Sequence, residues 1–116
     1  MSLSDPTQQV LEAAMRGAWQ RQTALTNNIA NADTPGYGRE EVNFESALQS
    51  AISGGEAPEG LQFTTETQAP VDGPNGNGVD IDQESALLAQ NGLDYQAITQ
   101  VMNTRNEILR TAMGLS

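Results

Sequence analysis

Proline and glycine are concentrated in the middle of the chain. Residues 35 to 78 contain eight of the 11 glycines and four of the five prolines. The flanking segments, about 7 to 33 and 82 to 113, contain no proline, the residue that a helix interior tolerates least. This distribution predicts two helical arms that bracket a loop-rich middle within one structural unit. The three predicted segments are an N-terminal arm over 1–34, a middle segment over 35–79 and a C-terminal arm over 80–116.

The N-terminal arm has the signals of a helix with one narrow apolar stripe. Asp5 can cap the helix, and Pro6 suits its first position. Downstream, apolar residues recur at alternating steps of four and three, which is the heptad spacing of a coiled coil. The stripe consists of Leu11, Met15, Ala18, Leu25, Ile29 and Ala32, with Gln22 filling its gap.

The C-terminal arm, which starts near Asp80 or Asp82, repeats this spacing. Its stripe consists of Leu88, Asn91, Tyr95, Ile98, Met102, Arg105, Leu109 and Ala112, widened by Leu87, Val101 and Ile108. Arms of about 27 and 32 residues would be roughly 40 and 48 Å long and could pack together as a coiled-coil-like hairpin. The predicted fold class is therefore mainly α.

Polar residues interrupt both stripes, at Gln22, Asn91 and Arg105. Two interpretations stay open. The chain could be a monomeric helical hairpin, or its narrow stripes could pack among many neighbouring helices, with the polar breaks fixing the register.

The middle segment contains two short patterned stretches. Apolar residues from Phe44 to Ile52 recur at helical spacing after Asn43, which predicts a short amphipathic helix that ends at Gly54 and Gly55. Residues 61–67 alternate between two faces, which predicts one strand or an extended segment. The middle is otherwise predicted to be irregular.

Composition excludes several classes of function. The chain has five arginines, no lysine and 15 acids, for a net charge of −10, and it has no Cys or His. It therefore lacks thiol and imidazole catalysis and any Cys/His zinc site. Nucleic-acid binding is not expected either, because it depends on clustered Lys and Arg.

Large aliphatic and aromatic residues are scarce. Leu, Ile, Val and Phe account for 22 of the 116 residues. That share lies at the border below which charged chains tend to be disordered, so we expect the chain either to stay partly disordered or to obtain part of its core from partners. No apolar run approaches the ~20 residues of a membrane helix, and neither membrane insertion nor a cleavable secretory signal is expected.

Candidate chemical motifs fit their templates poorly. The acidic, glycine-rich stretch 75–82 invites a calcium-binding interpretation but fails the EF-hand spacing, and a turn leading into a helix cap is the simpler reading. Asp80, Asp82 and Glu84 could supply paired carboxylates, but acids at a helix start more simply complement the helix dipole. No catalytic residue, metal site or cofactor is predicted.

One stretch of the N-terminal arm resembles a known family. Its nine matching residues fit the pattern L-x-x-N-I-A-N-x-x-T-P-G-Y, which is the N-terminal signature of the rod and hook family of flagellar axial proteins. They are Leu25, Asn28, Ile29, Ala30, Asn31, Thr34, Pro35, Gly36 and Tyr37. Physically, the stretch is a helix terminator, because Pro35 and Gly36 suit the centre of a type II turn.

The C-terminal arm continues the resemblance. Gly76, Asn77, Val79, Asp80 and Glu84 are similar to the segment that opens the family's C-terminal helix, although Gly78 stands where the family more often has Asn. Tyr95 and Ala97 are similar to its Y-x-A element. The tail from Ile108 to Met113, the Phe44-Glu45 pair and the small middle segment are most similar to the proximal rod members.

The resemblance implies a structural subunit of the flagellar rod that assembles helically and transmits torque from motor to hook. It also implies export through the flagellar type III apparatus, and contacts with other copies, other rod proteins, the export apparatus and the MS-ring adaptor. The expected location is the basal-body rod, which is periplasmic where an outer membrane exists. Another proximal rod subunit is the nearest alternative, and a small acidic helical adaptor or secretion chaperone is the alternative from a different class.

We expect the two apolar stripes to pack together, within one subunit or between neighbours. The seven residues expected to carry this packing are Leu11, Met15, Ala18, Leu88, Ile98, Met102 and Leu109. Leu25, Ile29 and Tyr95 belong to the same expected contact.

Overall fold

The computed structural model describes residues 5–70 and 78–114. Two long helices dominate it: α1 spans Pro6–Ala30 and α3 spans Ile81–Ala112. Between them lie strand β1 (Glu40–Glu41), helix α2 (Phe44–Ser53), a single 3-10 turn (Pro58–Gly60) and strand β2 (Glu66–Thr67). The prediction of a mainly α fold with a short middle helix is confirmed.

Both long helices begin at an aspartate cap. The Asp5 carboxylate accepts a hydrogen bond from the backbone N–H of Gln8 at 2.8 Å. The Asp80 carboxylate accepts from the N–H groups of Asp82 and Gln83 at the start of α3. These caps satisfy backbone donors that have no partner in the first helical turn, so the helix starts are set by local sequence.

The middle segment is packed against α1. Its helix α2 ends in a Schellman arrangement, in which Gly55 adopts a φ of 77° and the N–H of Glu56 donates to the carbonyl of Ala51 at 2.9 Å. Strands β1 and β2 pair antiparallel, with Glu40 opposite Thr67 and Glu41 opposite Glu66. A two-stranded ribbon this short owes its position to its neighbours.

The second strand is shorter than the alternation of residues 61–67 predicts. Its first part bonds to α1 instead of to another strand. Gln20 Nε2 donates to the carbonyl of Phe63 and to the hydroxyl of Thr65, and an Arg16 nitrogen donates to the carbonyl of Leu61. The backbone groups that a strand would have used are thus partly taken by side chains of α1.

The long helices run antiparallel, as three polar contacts along them show. Asp5 pairs with Arg105 near the free ends, Ala18 bonds with Asn91 in the middle, and Asn28 bonds with Glu84 near the connecting segment. The resulting hairpin makes the molecule elongated, with extents of 62 × 30 × 15 Å and a radius of gyration of 17.7 Å. A compact chain of this length would have a radius of about 13 Å.

The core is small and lies against one side of α1. Its central cluster is formed by Ala18, Ala24, Val42 and Phe44, with Phe63 and Tyr95 packed at its edge. Seven residues of α1 are buried, whereas the buried residues of α3 are only Glu84 and Asn91. None of the helices in the described part of the chain is both long and apolar enough to cross a bilayer.

Candidate functional site

The chain turns sharply where α1 ends. Asn31 caps the helix end, since its Nδ2 donates to the carbonyl of Asn27 at 2.9 Å. The Thr34 carbonyl then accepts from the N–H of Tyr37 at 3.2 Å across Pro35 and Gly36, and Gly36 has a φ of 75°. This geometry is a type II turn, which requires a residue such as glycine at its third position.

The turn brings the chain back onto Asn28, which is fully buried in the last turns of α1. The Asn28 amide exchanges two hydrogen bonds of 2.8 Å with the backbone N–H and carbonyl of Glu40. Its second amide hydrogen goes to Glu84, and its oxygen also accepts from the Tyr37 hydroxyl at 3.2 Å. Every donor and acceptor of this side chain is therefore satisfied, as burial of an amide requires.

Glu84 enters the same cluster from α3. Its side chain is 0% exposed. One carboxylate oxygen accepts from Asn28 at 3.1 Å, and the other accepts from Arg39 in a short charge-assisted contact. We refer to Asn28, Tyr37, Arg39, Glu40 and Glu84 as the polar node. It joins the end of α1, the returning chain and the first turn of α3, and a buried carboxylate is tolerated there because it is paired.

The environment of the polar node shifts the pKa of Tyr37. Burial raises the pKa of the Tyr37 hydroxyl, and the carboxylates of Glu40 and Glu84 raise it further. The single hydroxyl proton is shared between two acceptors, Glu40 Oε1 and Asn28 Oδ1, each 3.2 Å from the hydroxyl oxygen. The hydroxyl is therefore a neutral donor facing negative charge, and ionising it would cost both hydrogen bonds.

A second polar contact holds the middle of the hairpin. Asn91 is 3% exposed and donates to the carbonyl of Ala18 at 2.9 Å and to Gln22 at 3.1 Å. The two polar breaks predicted at Gln22 and Asn91 thus meet each other. The third, Arg105, pairs with Asp5 at 2.6 Å near the free ends. Polar contacts of this kind fix one register between helices, since a shifted register would break them.

The structure brings only some of the signature residues together. Leu25, Asn28 and Glu84 are buried, whereas Ile29, Asn31, Tyr37, Val79 and Tyr95 are half-buried. Ala30, Thr34, Pro35, Gly36 and Ala97 are exposed. Gly76 and Asn77, from the second stretch of the resemblance, lie outside the described residues, as does Asn75 of the stretch that was tested for calcium binding.

The predicted stripe faces the hairpin but is mostly half-covered. Ala18 is buried, and the six other expected packing residues are half-buried: Leu11, Met15, Leu88, Ile98, Met102 and Leu109. Leu87, Val101 and Ile108 are exposed, so they do not widen the surface that meets α1. The register places Leu25 and Ile29 beside the first turns of α3, and a contact with Ile98 or Met102 would have to come from another chain.

Arg39 and Glu40 supply two of the five residues of the polar node, and neither stands out in the sequence. Arg39 lies 45 residues from its partner Glu84. The only sequence signal is that Arg39 is a single cation within an otherwise acidic stretch, and that signal names no partner. Arg21, also unmarked by the sequence, donates to the carbonyl of Val42 and lies 4.5 Å from the centre of the Phe44 ring.

Two of the three carboxylates considered for chemistry are occupied by structural contacts. Asp80 caps α3, and Glu84 is paired with Arg39. Among the described residues, no group of three or more acidic side chains lies close enough together to hold a metal ion. The node is thus an arrangement for joining segments of the chain.

Comparison with known proteins agrees with this geometry. Residues 9–37 match the family model of the flagella basal body rod protein, a span that ends at the turn and includes Asn28 and Tyr37. The flagellar basal body rod protein FlgB of Bacillus subtilis (strain 168) is 37% identical over an alignment of 125 positions. The alignment covers 97% of this chain and 97% of the relative.

More distant relatives carry the same name. FlgB of Aeromonas hydrophila is 33% identical over 74% of this chain and 76% of its own length. FlgB of Salmonella typhimurium is 34% identical over 74% of this chain and 77% of its own length. The similarity thus extends well beyond the signature into the middle segment and α3. The chain belongs to the FlgB family of flagellar basal body rod proteins.

Proposed function

We propose that this chain is a structural subunit of the flagellar basal-body rod, without enzymatic activity or a cofactor. It assembles helically with copies of itself and with other rod proteins, and the assembly transmits torque from motor to hook. Export through the flagellar type III apparatus and contact with the MS-ring adaptor at the rod base are part of the same proposal. The location is outside the cytoplasmic membrane, and periplasmic where an outer membrane exists.

The burial pattern of α3 is the observation that carries this proposal. A helix of 32 residues buries only Glu84 and Asn91, and both are polar. Its apolar residues stay half-covered or exposed, which leaves a helix about 48 Å long with little apolar area removed from water. Such a helix gains stability when neighbouring helices cover it, and repeated heterologous contacts of this kind generate a helical tube.

Quantitative mass spectrometry of purified hook–basal bodies tests the proposal. We expect a few copies of this chain per particle, as a short rod segment requires. Absence from well-preserved particles, with the chain abundant and folded in the cytosol, would contradict it and favour the adaptor or chaperone class.

The apolar stripes provide a second test. We expect Leu25→Asp and Ile98→Asp to abolish swimming in soft agar while the chain accumulates normally, because a charge placed on either stripe opposes helix packing. Glu107→Gln, a change at an exposed position on α3, serves as the matched control and should swim. Normal swimming of both stripe variants would contradict the packing role.

We also propose that the segments 1–34, 35–79 and 80–116 form one structural unit. The support is that α1 contacts both the middle segment and α3, so neither has an independent core. The fluorescence of Trp19, the single tryptophan, and far-UV circular dichroism should then report the same urea transition. Two separated transitions would contradict this unity.

A further inference from the structure

Acidic residues are unevenly placed in a chain that carries a net charge of −10. The two longest stretches without an acid are 13–32, in α1, and 95–106, in α3. They hold three of the five arginines, namely Arg16, Arg21 and Arg105. We refer to the surface of these two stretches as the acid-free band.

The two stretches form one continuous surface because the helices run antiparallel. The Trp19 and Tyr95 rings lie side by side, with their centres 6.5 Å apart. A third acid-free stretch, 46–55, is shorter, contains no arginine and lies apart on α2. Among the described residues, two carboxylates from outside the stretches form ion pairs with arginines of the band: Asp5 with Arg105 and Glu45 with Arg21. The band is thus a surface on which like copies can meet with few unpaired carboxylates.

Because the chain is strongly acidic, two copies associate most easily through a surface with few carboxylates. Exposed charges separated by more than about 8 Å are largely screened at physiological salt, so repulsion between two copies comes mainly from acids at or near the contact. Three large exposed apolar residues, Ile81, Leu93 and Ile108, have such an acid as a sequence neighbour. Of the described large apolar residues that do not, Trp19 and Val101 are the most exposed, at 64% and 50%, and the others, Ile52, Leu87 and Met113, lie outside the band.

Trp19 and Val101 lie in two different depressions. Trp19 borders an open groove with Met15, Gln20, Thr23, Thr65 and Tyr95. Among the described residues that line this groove, Glu40 is the one acid, and its carboxylate accepts from Asn27 and Tyr37. Val101 lies in a shallow apolar depression with Ala97, Gln100, Thr104 and Arg105, and the two depressions share no residue.

Helical geometry separates the two depressions around α3. Val101 follows Tyr95 by six residues, which places the two about 120° apart on the helix. Two distinct patches on one chain are what a heterologous contact requires, and a contact of this type repeats without closing on itself. A self-complementary contact would instead use the same patch twice.

We propose that the Trp19 groove of one copy receives the Val101 face of a second copy of this chain. This inference rests on the proposed function, since it names the surface through which rod subunits of this kind meet. It commits to a like copy because the acid-free band brings few unpaired carboxylates into the contact and so lowers the repulsion between two acidic chains.

Cross-linking tests the contact directly, because the chain contains no cysteine of its own. Thr23→Cys introduces a thiol in the Trp19 groove, and Thr104→Cys introduces one beside Val101. Thr104 lies 13 residues beyond Asn91, the residue that faces Gln22, so the two thiols of one chain are roughly 20 Å apart along the hairpin. A short bismaleimide therefore links them only between chains.

We expect basal bodies with the Thr23→Cys/Thr104→Cys chain to give a ladder of cross-linked multimers, and each single variant to give none. Particles that contain the double variant by mass spectrometry but give no ladder would overturn the contact while leaving the rod role intact. Dimers from a single variant would overturn the heterologous arrangement. Absence of the unmodified chain from the particles would instead contradict the proposed function.

Charge reversal of the apolar residues gives a second measurement. We expect Trp19→Glu and Val101→Glu to reduce swimming by at least tenfold at unchanged cellular levels of the chain. The matched control is Ile52→Glu, which adds a charge at an exposed apolar position on α2 outside the band and should swim normally. Normal swimming of Val101→Glu, or equal loss with Ile52→Glu, would overturn the proposal.

Discussion

The two long helices differ in how they are held. Helix α1 buries seven residues and is packed by both the middle segment and α3. Helix α3 is longer but buries only Glu84 and Asn91. Because apolar burial is the main source of stability, α1 acts as the scaffold of the subunit, whereas α3 is held in place mainly by polar contacts of defined register. In this hairpin, apolar burial around α1 supplies most of the stability, and the polar contacts of α3 set the register between the two helices.

Of the variants that test this comparison, one that removes Glu84 should lower the free energy of unfolding the most. Glu84→Ala leaves Arg39 and Asn28 without their shared partner in a buried site, and breaking a buried ion pair costs about 3–5 kcal/mol. We expect a loss of this size in the free energy of unfolding, measured with urea and circular dichroism. Glu107→Ala, at an exposed acid of the same helix, should change it by less than about 0.5 kcal/mol.

A loss below about 1 kcal/mol for Glu84→Ala would reverse the interpretation of α3. It would mean that the half-covered apolar stripe, and not the polar node, holds this helix against α1.

Two glycines provide a matched pair between the helices. A Cβ added at Gly17 in α1 would come within 2.3 Å of the Phe44 ring, whereas one added at Gly92 in α3 would meet nothing within 4 Å apart from its chain neighbours and the backbone of its own helix. Gly17→Ala should therefore destabilise by about 1–3 kcal/mol, the cost of overpacking, despite its better helix propensity. Gly92→Ala should stabilise by up to about 1 kcal/mol.

Melting temperatures test this prediction: relative to the unmodified chain, Gly17→Ala should melt at a lower temperature and Gly92→Ala at a higher one. Equal shifts would show that α1 is no more tightly packed than α3, and would contradict the scaffold role.

The polar node can be weakened without removing its charge. Tyr37→Phe deletes the hydroxyl that donates to Asn28 and Glu40, which should cost about 1 kcal/mol. The raised pKa of Tyr37 adds stability that is present below pH 10, the usual tyrosine value, and lost as the pH rises through the higher folded-state pKa. Tyr37→Phe has no hydroxyl to ionise, so its stability should not fall in this way at alkaline pH. Tyr95→Phe on α3 is the control, and alkaline titrations that look identical for both variants would contradict the assignment.

The smallest expected effect concerns the contact between α1 and α2. Hydrogen bonding by Arg21 lowers the pKa of Glu45 below its usual value of 4.5. The pair therefore stabilises the fold above that pH, and the contribution is lost as the pH falls through the lowered pKa. Because Glu45 is largely exposed, Glu45→Gln should change stability at neutral pH by less than about 1 kcal/mol.

Urea midpoints from pH 3 to pH 6 measure this contribution. The variant should show a shallower acid slope than the unmodified chain, and parallel slopes would contradict a paired Glu45.

Local signals in the sequence predicted the long helices and their boundaries well. The aspartate caps, the turn at Pro35 and Gly36 and the glycines after α2 each act within a few residues, so they can be recognised without the fold. The polar node could not be found in this way. Asn28 and Glu84 are 56 residues apart and Arg39 and Glu84 are 45 apart, and spacing alone does not indicate which carboxylate an arginine reaches.

The middle segment shows a different limit. Alternation of residues 61–67 predicts a longer strand, but Gln20 and Arg16 of α1 bind its carbonyls. Likewise, nothing in the sequence indicates that the Phe44 ring packs directly against Gly17. Tertiary contacts override local pattern at such positions because they decide which backbone groups and surfaces are still available.

The hairpin has a mechanical consequence that follows from its antiparallel register. Asp5 pairs with Arg105, so the start of α1 and the end of α3 lie at the same end of the molecule. A force that pulls these two ends apart loads the contacts one after another, first Arg105, then Asn91 and last Glu84. Peeling of this kind needs far less force than shearing all contacts at once, so the hairpin opens easily from its ends and resists separation at the polar node.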